Sequence, residues 1–272
     1  MTYTEIHFHL LPSIDDGPSS IEESVALAEA AAAEGTRTIV TTPHVHPEFV
    51  TDPTTLPGLL QDVRSELTAR RIDVELRCGG ELDVRMVERL SDAQLDVIAH
   101  GPPGRRWVFL EAPLTGLGGS YTVAAEELRE RGFSVVAAHP ERALDRDQPG
   151  WQALEHELAA GSPLQVNAWS VAGLYGERVR NAAMSLLHRA PRAAIASDAH
   201  GGARMPALAL AIDALNAAGL DDPARFADAA PRGHLDRSRA ADRARAARRR
   251  GNRGRAARRT GAGHVAAARA RR

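Results

Sequence analysis

The chain has 272 residues, a formal net charge of -1 and 43% hydrophobic residues. This near-neutral total hides an asymmetry, because residues 232–272 hold 15 arginines against two acidic residues, which leaves residues 1–231 with a charge of -14. The apolar content excludes a disordered body, and no stretch approaches the roughly 18 consecutive apolar residues of a membrane span. The N-terminus also lacks the basic start of a secretory signal. We therefore expect a folded cytoplasmic body without membrane insertion, followed by a basic tail.

Short β-branched runs alternate with Ala/Leu-rich helical segments throughout this body. The predicted strands cover residues 4–10, 37–42, 72–78, 107–111, 133–138, 164–167 and 193–197. Helical patterns lie between them, such as residues 20–34, which open with a Ser cap, carry Glu23 three residues later and end at Gly35. Seven strand-helix units in succession predict a parallel α/β fold and favour a closed barrel over an open sheet.

The strand-helix pattern ends near Pro231. We therefore predict a folded domain over residues 1–230 and an Arg/Ala-rich tail over residues 231–272, which has few large apolar residues to bury and is expected to be disordered. Two interpretations of the tail stay open: an arm that binds nucleic acid or acidic membranes, or a segment with no function of its own. The tail contains no aromatic residue, which disfavours recognition of single strands by stacking.

Side chains of the kind that bind metals follow six of the seven predicted strands. His7 and His9 lie two residues apart on the first strand, so both rings point to the same face. The carboxyl ends of parallel strands are where barrels and open sheets assemble their active sites. The candidates are Asp15 and Asp16 after the first strand, His44 and His46 after the second, Glu81 after the third, Glu111 at the end of the fourth, His139 after the fifth, and Asp198 and His200 after the seventh.

This set is too large for one four- to six-coordinate ion, so we predict two or three divalent ions with a bridging carboxylate. Imidazole and carboxylate ligands without thiolate suit Zn, Mn or Fe. Such a cluster makes hydroxide available near neutral pH and clamps the oxygens of a phosphoryl displacement. Arg142 and Arg204 follow two of the candidate ligands, and guanidinium groups match phosphate oxygens. These residues predict a metal-dependent phosphomonoesterase.

Three other catalytic arrangements are absent from the sequence. The loop of cysteine phosphatases needs an Arg six residues after the nucleophile, and Val84 occupies that position relative to Cys78. The chain has no Gly-x-Ser-x-Gly motif, and because it has no lysine it has no Walker-type phosphate loop.

Several segments resemble the polymerase-and-histidinol-phosphatase (PHP) superfamily. They are Ile-His-Phe-His-Leu-Leu-Pro at 6–12, Ile-Asp-Asp-Gly-Pro at 14–18, Thr-Thr-Pro-His at 41–44, Ala-His-Pro-Glu-Arg at 138–142, Leu-Gln-Val-Asn-Ala at 164–168 and Ala-Ser-Asp-Ala-His-Gly at 196–201. Within the superfamily, the chain is most similar to the bacterial metal-dependent tyrosine-protein phosphatases of capsule and exopolysaccharide operons. The resemblance covers residues 3 to 230 and implies a distorted, TIM-like seven-stranded β/α barrel with a trinuclear site, often activated by Mn.

The resemblance also implies roles for individual residues. Arg142 and Arg204 match the phosphate-binding arginines of the family, and His46 has no counterpart. Between Asp15 and Asp16 the sequence does not decide, and Asp16 is taken as the ligand. In the implied metal site, His7 and His9 bind one ion with Glu81 and Asp198, Glu81 bridges to a second ion held by Glu111 and His139, and Asp16, His44 and His200 hold the third.

The implied activity is hydrolysis of protein phosphotyrosine by a metal-bridging hydroxide, in the regulation of capsule or exopolysaccharide synthesis. The expected partner is a tyrosine-phosphorylated protein, in the family a polysaccharide-assembly tyrosine kinase. One alternative is a histidinol-phosphate phosphatase or another small-molecule phosphoesterase of the superfamily. The other is a nucleic-acid-binding protein that acts through its basic tail, which the complete set of ligands disfavours.

Overall fold

The computed structural model describes residues 2–101, 106–143, 148–190 and 192–235. The strands are β1 Tyr3–Phe8, β2 Thr36–Thr41, β3 His44–Val45, β4 Glu75–Cys78, β5 Glu81–Leu82, β6 Trp107–Glu111, β7 Ser134–Ala138, β8 Leu164–Asn167 and β9 Ala194–Ala196. The helices are α1 Ile21–Glu34, α2 Leu56–Ala69, α3 Asp92–Ile98, α4 Gly119–Glu130, α5 Gln148–Ala160, α6 Ala168–Val171, α7 Glu177–Arg189, α8 Leu208–Ala217 and α9 Ala229–Leu235. Short 3-10 helices cover Pro53–Thr55, Val84–Arg89, Pro140–Arg142 and Pro223–Phe226.

All strand pairs in the described part of the chain are parallel, as the alternation of strands and helices predicts. They form a three-stranded sheet in the order β1-β2-β4 and a six-stranded sheet in the order β3-β5-β6-β7-β8-β9. The parallel α/β class is therefore confirmed. The pairing does not by itself show one seven-stranded barrel, because β2 and β4 are each followed by an additional two-residue strand, β3 and β5, that belongs to the other sheet.

The interruptions follow from local chemistry. Pro43, which has no N–H to donate to a neighbouring strand, separates β2 from β3. Gly79 and Gly80 separate β4 from β5, and a Cβ at Gly79 would lie 2.7 Å from Nε2 of His100. A Cβ at Gly80 would lie 2.8 Å from a methyl group of Val45. Both positions therefore need glycine for close packing.

Backbone hydrogen bonds connect the end of β1 with the segment after β9. Asp198 donates its N–H to the carbonyl of His7 at 3.0 Å, and His9 donates to the carbonyl of Ala199 at 2.9 Å. Phe8 also accepts from the N–H of Thr42 at 2.9 Å. The residues after the first, second and last strands are thereby held at one edge, where the predicted metal ligands occur.

The apolar side chains form two clusters, as expected for parallel strands covered on both faces. The larger cluster packs the helices against one face of the strands. The smaller one takes alternate residues from the opposite face: Ile6, Val40, Trp107, Phe109, Val136, Ala138, Ala194 and Ala196. His7 contacts Phe109 of the smaller cluster, with ring centroids 5.3 Å apart, so the polar site packs directly against this buried apolar cluster.

Helix α1 confirms the predicted capping pattern. Ser20 accepts a hydrogen bond from the N–H of Glu23, and Gly35 ends the helix at a φ of 111°. At the other end of the chain, the predicted boundary at residue 230 falls within α9, and the predicted disorder of the tail falls largely on residues 236–272, outside the described residues. Among the described residues, no helix combines the length and apolarity needed to cross a bilayer.

Candidate metal centre

Nine side chains form three groups in which one potential ligand atom per residue lies within 4.8 Å of the others. The groups overlap at His44 and Glu81, and they contain all nine residues that the resemblance implies as ligands, but neither of the further candidates Asp15 and His46. The first group is His7, Glu81, His139 and Asp198; the second is His9, Asp16, His44 and His200; the third is His44, Glu81 and Glu111. This grouping places His9 with the second set and His139 with the first, and so differs from the partition that the resemblance implies.

The two-residue period of β1 brings His7 and His9 to one fully buried position. Their Nε2 atoms lie 3.1 and 3.4 Å from Oε2 of Glu81 and both lie 3.4 Å from Oδ1 of Asp198. Burial opposes a positive charge on His7, but Glu81 and Asp198 outweigh it and raise the pKa of this ring. The same balance, with Asp15 as an additional partner, raises the pKa of His9 well above its ordinary value. Both rings therefore lie where positive charge is favoured.

Glu81 lies at the centre of the site and is fully buried. Burial alone would raise its pKa, but His7, His139 and His44 hold the pKa well below its ordinary value. Its Oε1 lies 2.7 Å from Nε2 of His139, and its Oε2 lies 3.2 Å from Nδ1 of His44. Neither oxygen accepts a well-aligned hydrogen bond from any described residue. An ionised, buried carboxylate whose oxygens face ring nitrogens on two sides fits a bridging metal ligand.

The two consecutive aspartates, Asp15 and Asp16, point in different directions, and only Asp16 belongs to the second group. Oδ1 of Asp16 lies 3.2 Å from Nε2 of His200 and 3.5 Å from Nε2 of His44. Asp15 faces the other way: its Oδ2 accepts from Nδ1 of His9 at 2.8 Å and from the N–H of His44 at 3.0 Å, and its Oδ1 accepts from the N–H of Gly17 at 3.0 Å. Asp15 thus orients His9 so that Nε2 faces the site, as carboxylate partners of metal-binding histidines do.

Glu111 completes the third group from the end of β6. Its Oε2 lies 3.9 Å from Nδ1 of His44. Burial, together with Glu81 and Asp83, raises the pKa of Glu111 to about 8. Burial also lowers the pKa of His44 to about 4. In the absence of a cation these two side chains therefore favour their neutral forms, and a bound cation would favour the ionised carboxylate.

The backbone at two of these residues adopts the left-handed region that is unusual for residues other than glycine. His139 has a φ of 58° and Asp198 a φ of 50°. Each is held by a backbone hydrogen bond to another strand, from His139 to the carbonyl of Gln165 at 2.8 Å and from Asp198 to that of His7 at 3.0 Å. Such conformations cost on the order of 1 kcal/mol and cluster at functional sites.

The two predicted arginines both reach the site and contact candidate ligands there. Arg142 donates from NH1 to Oδ2 of Asp198 at 3.0 Å, and Arg204 donates from NH2 to Oδ2 of Asp16 at 2.7 Å. Arg142 also lies over the ring of Tyr175, with its guanidinium carbon 4.9 Å from the ring centroid. Two cations thus lie beside the carboxylates, where they can neutralise and orient a phosphate group.

Some neighbours of the site were missed by the sequence reasoning. Gln165 accepts a hydrogen bond from Nδ1 of His7 at 2.9 Å, and Asn167 donates to Oδ2 of Asp198 at 2.9 Å. Both side chains are buried and lie two residues apart on β8, so they point to the same face of the strand. This spacing could have identified them from the sequence, because polar side chains on a buried strand need hydrogen-bond partners. His46 joins none of the three groups and instead contacts Arg85 and Asp83.

This combination of fold and site defines a class of protein. Buried imidazole and carboxylate groups at the carboxyl ends of parallel strands, with two arginines beside them, are the arrangement of metal-dependent hydrolases that act on phosphate esters. The chain belongs to the family described as capsular polysaccharide synthesis, CpsB/CapC, whose profile matches residues 3–222.

The chain is also similar to proteins named as tyrosine-protein phosphatases. The chain is 26% identical over 205 residues to the putative tyrosine-protein phosphatase CapC of Staphylococcus aureus, a match that covers 74% of this chain and 78% of the relative. It is 27% identical over 207 residues to the tyrosine-protein phosphatase YwqE of Bacillus subtilis, covering 72% and 76%.

Solved structures share the fold. One of them comes from work on YwqE from Bacillus subtilis and CpsB from Streptococcus pneumoniae, which are described as metal-dependent tyrosine phosphatases. The chain superimposes on this structure with a TM-score of 0.74 and 24% identity, and the match covers 85% of this chain and 94% of the other. The phosphotriesterase homology protein of Escherichia coli, solved with phosphate in its active site, matches with a TM-score of 0.57 and 13% identity over 86% and 99%.

Proposed function

We propose that this protein is a metal-dependent phosphomonoesterase that removes phosphate from phosphotyrosine in proteins, in the regulation of capsule or exopolysaccharide synthesis. The observation that carries the proposal is the set of three overlapping imidazole and carboxylate groups beside Arg142 and Arg204. Membership of the CpsB/CapC family and the names of the relatives support phosphotyrosine as the substrate.

The ligands proposed are the nine residues of the three groups, holding two or three divalent ions. Mn is the metal we favour, and Zn and Fe fit the same donors. Glu81, which belongs to two of the groups and whose two oxygens face different histidines, would be the ligand common to more than one ion. When bound, such ions supply Lewis acidity and make a nucleophile available near neutral pH.

The residues of the chain have distinct roles in the proposed reaction. Arg142 and Arg204 bind the phosphoryl oxygens and stabilise the charge that develops during transfer. Asp15 and Gln165 hold His9 and His7 in the orientation in which Nε2 faces the site. Because Glu81, His7 and His9 are fully buried, their charges act in a low-dielectric environment where they are stronger.

We further propose that the two sheets form one distorted seven-stranded barrel. In this interpretation β2 and β3 are one strand interrupted at Pro43, and β4 and β5 are one strand interrupted at Gly79 and Gly80. The hydrogen bonds between the ends of β1 and the segment after β9 support closure. The catalytic domain corresponds to residues 1–230, the tail to residues 231–272, and the proposed location is the cytoplasm.

The test compares two substrates on the metal-loaded protein. Phosphate release from a tyrosine-phosphorylated peptide, ideally the tail of a polysaccharide-assembly kinase, is measured beside release from histidinol phosphate. We expect the peptide to be strongly preferred and Asp198→Ala to abolish turnover, because this change removes a candidate ligand and the partner of Arg142. Preferential turnover of histidinol phosphate would instead identify a small-molecule phosphatase, and full activity of the variant would refute the proposed site.

A further inference from the structure

An exposed aromatic ring lies directly against one of the candidate ligands. The side chain of Phe49 stacks on the ring of His44, with centroids 5.7 Å apart and planes inclined by 20°. His44 belongs to two of the three groups that can hold a metal. Phe49 is 42% exposed, so much of its ring faces solvent beside a candidate ligand.

The loop that carries Phe49 is held by several hydrogen bonds. Phe49 donates its N–H to the carbonyl of His46 at 3.1 Å, His46 donates to the carbonyl of Val50 at 3.1 Å, and Val50 donates to that of His44 at 3.2 Å. Val50 is buried. A second ring, that of His46, lies 5.5 Å from Phe49. The exposed phenyl group is thus presented by an ordered turn, so binding a ligand costs this loop little conformational entropy.

We propose that Phe49 is a specificity-determining residue that contacts the aromatic ring of an aryl phosphate ester. This inference rests on the proposed function. In an aryl ester the ring begins one oxygen atom away from phosphorus, so a phosphate held beside His44 brings the ring to the groups that surround this ligand. An aromatic pair of this kind favours an aryl over an alkyl ester, because a flexible alkyl chain has no π face to offer.

A second surface at the site offers a less suitable partner for the ring. A cleft of about 400 Å³ lies beside Asp16 and His200, and its walls include Met205 and Glu23. This cleft is lined by carboxylates and glycines as well as apolar groups, and its described walls contain no Phe, Tyr or Trp. Phe49 combines aromaticity, exposure and contact with a ligand, so we assign the ring to Phe49 and use Met205 as the comparison.

The experiment measures binding as well as turnover. Phenylphosphonate and methylphosphonate, which are not hydrolysed, are titrated calorimetrically into the metal-loaded wild type and into Phe49→Leu, Phe49→Tyr and Met205→Ala. Turnover of a phosphotyrosine peptide is followed in parallel. We expect Phe49→Leu to reduce the preference for phenylphosphonate over methylphosphonate by about fivefold. Phe49→Tyr keeps a ring and should retain the preference, and Met205→Ala should not change it.

Different results separate this inference from the proposed function. An equal loss of affinity for both phosphonates in Phe49→Leu would overturn the inference, because it would mean that Phe49 only supports His44. A loss of preference in Met205→Ala, with none in Phe49→Leu, would overturn it in favour of the cleft. If the wild type binds both phosphonates but releases no phosphate from the peptide, the proposed function fails. The role of Phe49 is tested separately: an unaltered preference for phenylphosphonate in Phe49→Leu would contradict it, whatever the result with the peptide.

Discussion

Replacing Asp15 by Asn tests whether this residue orients a ligand or is one. The substitution keeps the shape of the side chain but removes the charge from three hydrogen bonds, to Nδ1 of His9 and to the N–H groups of His44 and Gly17. It also places an NH2 group opposite one of these donors. A charge-assisted hydrogen bond exceeds a neutral one by about 1 to 2 kcal/mol, which corresponds to about five- to thirtyfold in affinity. We expect metal affinity to fall by that factor.

The assay is calorimetric titration of metal into chelator-treated protein, followed by activity measurements at increasing metal concentration. Asp16→Asn is the matched control on the adjacent residue. Excess metal should restore Asp15→Asn, which retains all nine residues of the three groups, but not Asp16→Asn, which loses a ligand atom of the second group. Unchanged metal affinity in Asp15→Asn, or restoration of Asp16→Asn alone, would refute this assignment.

Three further predictions concern residues around the site and in the core. Gln165→Leu should lower metal affinity about tenfold, because Nδ1 of His7 loses its hydrogen-bond partner; equal affinity in a metal titration would contradict this. Tyr175→Leu should weaken inhibition by inorganic phosphate about threefold, because it removes the ring beneath Arg142. Tyr175→Phe keeps the ring and should leave the inhibition constant unchanged. Identical inhibition constants for the two variants would argue against a role for the contact between Tyr175 and Arg142. Burial, reinforced by nearby arginines, lowers the pKa of His100 to about 3. The folded protein therefore loses stability as the pH falls from about 6.5 towards 3, by about 1 kcal/mol between pH 6 and 5, and denaturant unfolding of His100→Leu should show a smaller loss over this range.

The sequence located most of the strands because buried parallel strands have a strong local signature. β6 and β8 occupy the predicted residues, and β1, β2 and β7 begin within one residue of the predicted positions. The interruptions at Pro43 and at Gly79 and Gly80 were not predicted, because they depend on which neighbouring side chains approach the backbone. His100, whose Nε2 excludes a Cβ at Gly79, lies 21 residues further along the chain.

The candidate ligands were predictable because each lies on a strand or just after one, and the carboxyl ends of parallel strands meet at one edge. The hydrogen-bond partners of these ligands were harder to predict from the sequence. The contact between Gln165 and His7 spans 158 residues, so no local pattern predicts it. The different orientations of Asp15 and Asp16 depend on how the loop after β1 turns, which is set by the N–H groups of Gly17 and His44 rather than by residue type.

The most direct test of the proposed function is phosphate release from a tyrosine-phosphorylated peptide as a function of the metal-to-protein ratio. The protein is first treated with a chelator, and Mn is then returned in steps while bound metal is counted by mass spectrometry. We expect no turnover without metal, and turnover that rises to a plateau at two to three ions per chain. Full activity in the presence of the chelator, or a plateau with no bound metal, would contradict the proposed metal-dependent phosphatase.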